Sequence, residues 1–412
     1  MKVALAHDFL IRWGGAEKVL FDLHKIFPEA PIFTLFYDKK FVDEHFPNIK
    51  IRSSYLQRRY AFLRGLTWIF TRIYTDIHRI LLPWMPIAVE SFDFSDYDLV
   101  ISSSSGFMKG IIVPIKTKHI CYLHTPTRWA LQDTKQKRNF KDETNTKLTP
   151  KEIGVNLRNY QRKSASESFL KRAYTHFYRI WDFEAAQRPD ILIANSRYTA
   201  QRIRKYYKRR ADVVYPGVDI HTKLTRNKTR NNTKNISIDQ HQPSKYFIVV
   251  SRLSSYKHVD WAIEAFKNLP YNLVIVGEGP EDKKLKRKVH NMEHRTGKIF
   301  FTGFTKNKNI LCDLIKNSIG LIHLAEEDFG IAIVEALKLG KPAIVYNKGG
   351  ARELIKEGIS GEFFTNKQDL SDIIKKVAEN IGKYKPAVIK KSVEGFSSAR
   401  FKKEIQEIWL NG

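Results

Sequence analysis

The sequence predicts an α/β protein of two halves, each a parallel sheet wound with helices. Three observations carry this. Short apolar, β-branched runs recur along the chain without polar alternation, as strands covered on both faces require. Helix-period segments lie between them, which is the βαβ pattern. A polar, Asn-rich break at 219–245, closed by Pro243, separates the halves and reads as a linker or long loop.

In chain order, the strand candidates of the first half are Val3–Ala6, Leu99–Ser102, His119–Leu123, Ile191–Ala194 and Val213–Tyr215. Those of the second are Phe247–Ser251, Leu273–Val276, Ile299–Thr302, Gly320–Leu324 and Ala343–Tyr346. Helix patterns cover Ala16–Ile26, Arg197–Lys205, Asp260–Asn268, Ile331–Leu339 and Leu370–Ile381. Ser398–Leu410 adds an amphipathic helix with Phe401, Ile405 and Trp409 on one face. Asp133–Ser168 is a charge-rich interruption that suits either an active-site lid or a solvated insertion. The expected division is a first Rossmann-like domain over 1–218, a linker over 219–245 and a second over 246–395. The last segment, 396–412, is expected to return to the first domain.

Composition narrows the function. With 71 Lys and Arg against 43 Asp and Glu, the formal charge is +28, a field that favours nucleic acid, anionic membrane or phosphorylated small molecules. Cys121 and Cys312 have no metal spacing and no disulfide framework, which fits a reducing compartment. The first residues do not read as a signal peptide, because His7 and Asp8 break the apolar run, and no stretch is long enough to span a bilayer. The sequons at Asn227, Asn231 and Asn235 lie in the Lys/Asn/Thr-rich tract and read as compositional accident.

Three clusters fall just after strands, where open parallel sheets bind ligands. Trp13–Gly14–Gly15–Ala16–Glu17 opens a helix, and paired glycines there allow a phosphate close to backbone amides. Arg252 and Lys257 flank the turn after FIVV and can converge on a diphosphate, unless they are simply solvated cations. Glu327–Asp328–Phe329–Gly330–Ile331–Ala332–Ile333–Val334–Glu335 follows the strand GLIHLA, with seven residues between the two glutamates. There a helix entry offers free N–H groups while carboxylates accept bonds from hydroxyls.

Glu327 to Glu335 resembles the E-x7-E motif of GT-B retaining glycosyltransferases of family 4, in which two Rossmann-like domains face each other across a cleft. Arg252 and Lys257 match that family's Arg/Lys pair, Gly277–Glu278–Gly279–Pro280 its Gly-rich turn, Gly14–Gly15 its glycine loop and His124 its donor-site histidine. HDFLIRWGGAEKVL, LHTPTRWA, ANSRYTAQRIRKYY and AEEDFGIAIVEA look most like mannosyltransferases that build O-antigen or similar surface polysaccharides. The resemblance implies transfer of mannose from GDP-mannose, with retention, to a lipid-linked saccharide; a UDP-sugar donor is the alternative. It places Arg252 and Lys257 at the leaving nucleoside diphosphate, Glu327 and His124 at the donor sugar and Glu335 at the ribose. Gly14, Gly15, Gly277, Phe329, Gly330 and Ile331 would line the nucleotide sugar. It makes 1–218 the acceptor-binding domain and 246–395 the nucleotide-sugar-binding domain, and it implies no cofactor beyond that donor.

No metal is expected either, since the D-x-D at Asp96–Tyr97–Asp98 precedes a strand instead of following one. Leu66–Leu82 forms an amphipathic pattern, with Arg52, Arg58, Arg59 and Arg64 before it and Trp68 and Trp84 beside it. Such a segment suits either adsorption on the anionic inner face of the cell membrane or packing on the N-terminal sheet. Arg202–Arg210 (RIRKYYKRR) lacks any nucleic-acid-binding pattern around it and reads as a solvated or membrane-attracted face. A basic membrane- or nucleic-acid-binding module without catalysis is the reading from another class.

Overall fold

The computed structural model describes residues 1–67, 80–131, 173–220, 245–292 and 297–411. These form two compact units. One holds Met1–Asn195, Thr199–Val214 and Ile408–Gly412, the other Ser196–Tyr198 and Tyr215–Glu407.

In the first unit, the strands are β1 (Val3–Leu10), β2 (Ile32–Tyr37), β3 (Ile51–Ser53), β4 (Leu99–Ser104), β5 (Lys118–Leu123), β6 (Ile191–Ala194) and β7 (Asp212–Val213). Their order is β3-β2-β1-β4-β5-β6-β7, and every pairing is parallel. In the second unit, β8 (Tyr246–Val250), β9 (Asn272–Val276), β10 (Ile299–Gly303), β11 (Leu321–His323), β12 (Ala343–Tyr346) and β13 (Gly361–Phe364) lie in the order β10-β9-β8-β11-β12-β13, again all parallel. The α/β class with two Rossmann-like sheets, expected from the sequence, is the one observed. Leu273, Val274, Ile275, Ile344 and Val345 are fully buried, each burial contributing about 1.5–3 kcal/mol.

The differences from the expected elements are local. β1 runs on to Leu10 because His7 and Asp8, which break the apolar run, are buried among hydrogen-bond partners. β7 stops at Val213, and Tyr215 turns its hydroxyl to Glu353 Oε2 at 2.8 Å. β2, β3 and β13 add strands beyond those proposed. β13 hides behind Glu362, a carboxylate inside a strand that accepts from Tyr384 Oη at 2.6 Å and Lys376 Nζ at 2.7 Å. The helix Ser398–Asn411 buries Phe401 and Ile405 as its pattern predicts, and Trp409 packs edge-on to Phe27 at 6.4 Å. The tract 221–244 with its three sequons, the interruption Asp133–Ser168 and most of Leu66–Leu82 lie outside the described residues.

Candidate functional site

In a doubly wound sheet, ligands bind beyond the carboxyl ends of the strands where the winding reverses. The strand orders place that reversal between β1 and β4 in the first unit and between β8 and β11 in the second. The chemistry-bearing residues follow these four strands and β5.

In the second unit, the chain leaves β8 through Ser251 and Arg252, makes a single 3₁₀ turn at Ser255–Lys257, and enters the helix Val259–Ala265 through His258 (φ 52°). This turn delivers Lys257 Nζ onto Glu327 Oε1, with the two side chains only 14% and 20% exposed. Glu327 leaves β11 on a loop pinned by Gly350 N–H, which donates to Glu327 O at 2.7 Å. The helix Ile331–Lys338 starts four residues further along the chain, after Gly330 (φ 115°), whose carbonyl accepts from Ile333 N at 3.0 Å.

The second oxygen of Glu327 lies 3.7 Å from His323 Nε2, a buried atom without a hydrogen-bond partner. Burial, aided by the Lys257 ammonium, pushes the His323 pKa down to about 3, so the ring is neutral. Lys257 is therefore the cation that the structure gives Glu327 directly.

Other expected residues fall into place with different parts to play. Arg252 is exposed beside the turn, and Glu335 is half-buried at the start of the helix's second turn. The Phe329 side chain belongs to the core, 6.0 Å from the Tyr215 ring and 5.8 Å from Phe396, so only its backbone is left for a ligand. Gly277 (φ 137°) holds a contact between loops. A Cβ there would stand 1.9 Å from Ser251 O, and Leu253 N–H donates to Glu278 O at 2.9 Å alongside. The Gly-rich turn thus fixes the segment that carries Arg252 and Lys257.

In the first unit, Gly14 caps the helix Gly15–Ile26 in extended conformation, with Glu17 in the first turn. Glu17 Oε1 lies 3.6 Å from His7 Nε2. His7 Nδ1 is 3.1 Å from Ser103 Oγ, and the same oxygen is 2.8 Å from His124 Nε2. Burial, with His7 beside it, pushes the His124 pKa down to about 3. Asp8 anchors the neighbouring loop, accepting from Ser105 N at 2.6 Å, Met108 N at 2.8 Å and Phe107 N at 2.9 Å.

A family model described as Glycosyltransferase Family 4 matches residues 13–222, just over half of the sequence. The chain belongs to glycosyltransferase family 4. A second model, Glycosyl transferases group 1, matches residues 231–391. Among relatives, the GDP-mannose-dependent phosphatidylinositol dimannoside mannosyltransferase of Mycobacterium tuberculosis is 27% identical over 200 residues, 46% of this chain and 50% of that protein. The α-1,3/1,6-mannosyltransferase ALG2 of Saccharomyces cerevisiae is 25% identical over 233 residues, 47% of this chain and 45% of that one. The chain spans about half the length of the curated relatives it matches. Among solved structures, Anabaena HepE with UDP-glucose superposes at TM-score 0.63 over 100% of both chains, at 18% identity. WaaG, from lipopolysaccharide biosynthesis, does so at 0.58 and 14% over 100% of both chains. Both have the GT-B fold, and this family-4 chain shares it.

The basic features of the family-4 chain divide in two. Arg52 packs over the rings of Phe33 and Tyr97, at 5.3 and 5.9 Å, and Arg64 pairs with Asp38. Two of the four cations expected to face a membrane are thus engaged within the fold. Arg58 and Arg59 remain exposed, Arg59 over Trp84 at 5.2 Å, beside exposed Phe62, Ile80 and Ile87. In RIRKYYKRR, Arg209 ties off the carbonyls of Ala186, Gln187, Pro189 and Asp190, and Arg202 reaches Thr125 Oγ1 at 2.8 Å. Asp96 and Asp98 are exposed at the amino end of β4, where Asp98 accepts from Lys2 N at 2.7 Å. Among the described residues, no group of three or more His, Cys, Asp or Glu could hold a metal.

Several participants escaped the sequence reading. His323 sits inside an apolar strand run, and Ser103 inside ISSSSG, where nothing marks one serine from the next. Lys109 is fully buried against Asp182 Oδ1 at 2.6 Å, with Thr127 and Tyr207 on the same carboxylate. That carboxylate outweighs the opposing effect of burial and keeps the ammonium charged.

Proposed function

We propose that the chain is a retaining glycosyltransferase that moves a hexose, mannose from GDP-mannose in the first place, onto a lipid-linked saccharide. The observation that carries this reading is the Lys257–Glu327 contact, made in the loop that leads to the helix Ile331–Lys338, in a chain of family 4. A carboxylate can accept from sugar hydroxyls, and the ammonium beside it can offset charge on a diphosphate. In the transfer, the bond from the anomeric carbon to the diphosphate oxygen breaks and a bond to an acceptor oxygen forms. Negative charge grows on the departing nucleoside diphosphate, where Lys257 and Arg252 stabilise it, and its freed oxygen takes up the acceptor's proton. Glu327 and His124 orient the sugar, Glu335 holds the ribose, and Gly14, Gly15, Gly330 and Ile331 offer backbone to the donor.

Mannose is favoured by the two mannosyltransferase relatives. A UDP-sugar, the ligand named for HepE, is the second reading. The exposed Arg58, Arg59 and Trp84 with their apolar neighbours support docking on an anionic membrane surface, where a lipid-linked acceptor resides. No helix among the described residues is long and apolar enough to cross a membrane.

The test is calorimetric titration with GDP-, UDP- and ADP-sugars, followed by NMR assignment of the product's anomeric configuration. GDP-mannose binding tightest and an α-linked product are expected. Binding of none of the sugar nucleotides, or an inverted product, overturns the reading.

A further inference from the structure

Glu17, half-buried, and the buried His7, Ser103 and His124 form one file across the carboxyl ends of β1 and β4 to the start of the loop after β5. Ser103 is fully buried, His7 is 3% exposed and His124 8%. The contacts run 3.6 Å from Glu17 Oε1 to His7 Nε2, 3.1 Å from His7 Nδ1 to Ser103 Oγ, and 2.8 Å from Ser103 Oγ to His124 Nε2. Each link constrains the next. Glu17 Oε1 is beyond hydrogen-bond distance of His7 Nε2 but within reach of its charge, and a carboxylate so placed favours the proton of His7 on Nε2. With the proton of His7 on Nε2, its lone pair is on Nδ1, where it accepts the Ser103 O–H at 3.1 Å. With its proton committed to His7, the Ser103 oxygen can only accept from His124, which must carry N–H at Nε2. The Nδ1 of a neutral His124 is left as an acceptor.

We infer that Glu17, His7 and Ser103 are positioning residues that lock His124 in the Nε2–H tautomer, so that its Nδ1 accepts a hydrogen bond from a hydroxyl of the donor sugar. The ligand half of this statement rests on the proposed function; the tautomer does not. The file also separates this histidine from His119. The His119 Nε2 is bonded to Ser102 Oγ at 2.8 Å and its Nδ1 is buried without a partner, so no carboxylate directs its proton.

Two measurements test it. The first is a long-range proton–nitrogen correlation spectrum of the full chain labelled with ¹⁵N-histidine, without ligand, assigned through His124→Gln. His124 is expected as a single neutral Nε2–H species, and an Nδ1–H tautomer, a mixture or an imidazolium overturns the inference. The second compares Ser103→Thr with Ser103→Val, which share shape and crowding and differ only in the hydroxyl. The Thr variant should keep the tautomer signature and rescue turnover, and the Val variant should lose both, with kcat/KM about tenfold lower, the effect of one hydrogen bond. Equal turnover in the two variants overturns it. If the wild-type chain turns over no sugar nucleotide, the proposed function fails while the spectrum still decides the tautomer.

Discussion

Lys257→Ala is the most informative single change in the second unit. It leaves the Glu327 carboxylate beside His323, whose ring burial holds neutral, so no second cation is supplied by that neighbour. The paired side chains are 14% and 20% exposed, so water screens them only in part. Two unit charges about 4 Å apart attract by about 4 kcal/mol at an effective dielectric of about 20. Desolvation of both groups takes back much of that, and a coupling of about 1–3 kcal/mol is expected. The assay is a double-mutant cycle over wild type, Lys257→Ala, Glu327→Ala and the double variant, read by urea unfolding in the absence of donor. The double variant should be more stable than the sum of the single losses predicts. Turnover should fall on the order of 10²–10³ in each single variant with native circular dichroism. Stability changes that add within about 0.5 kcal/mol would show that the pair is not a coupled unit.

Four further outcomes are expected. Burial pushes the pKa of His119, His124 and His323 each down to about 3 from 6.5. Between those values the unfolded chain binds more protons than the native one, so stability rises with pH across that window and is lost on acidification. The loss should reach about 1.4 kcal/mol per pH unit for each histidine, and a urea midpoint that is flat from pH 7 to pH 5 would contradict it. Gly277→Ala, with its Cβ 1.9 Å from Ser251 O at a φ of 137°, should cost about 3 kcal/mol or more, and a thermal midpoint equal to wild type would refute the packing described. Arg58→Gln with Arg59→Gln should weaken co-sedimentation with anionic liposomes at low salt, by about 1 kcal/mol per cation, while Arg64→Gln should not, because Asp38 already holds Arg64. Equal loss in both variants would return Arg64 to the membrane face. Turnover is also expected to survive excess EDTA, and a loss restored by Mg²⁺ or Mn²⁺ would refute the metal-free assignment.

Much of the fold was legible because parallel strands buried on both faces write themselves as runs such as FIVV and LVIV. β13 was not, since Glu362 breaks its run and finds its partners far along the chain, in Tyr384 and Lys376. Lys257 and Glu327 could be named from their places after β8 and β11 and from the family likeness, but their contact could not. It depends on the loop that Gly350 pins. Phe329 illustrates the opposite limit, for a residue inside a ligand-binding motif can spend its side chain on the core. The histidine file is illegible for a plainer reason. Its members come from β1, β4, the loop after β5 and a helix, and only the parallel register sets Ser103 opposite His7.

The backbone contact at Gly277 bears on how a mutational scan of this chain would be read. Substitutions at Gly277 and at Lys257 should both abolish growth in any selection for the transferase, and a ranking by fitness alone would place them in one class. Their causes differ. A side chain at Gly277 forces apart the two loops that meet at Ser251, so the cell should hold less of the protein. Loss of the Lys257 ammonium leaves those loops closed on each other, and abundance should hold far better than activity. A scan that scores abundance beside fitness would separate the residues that shape these loops from those proposed to touch the donor.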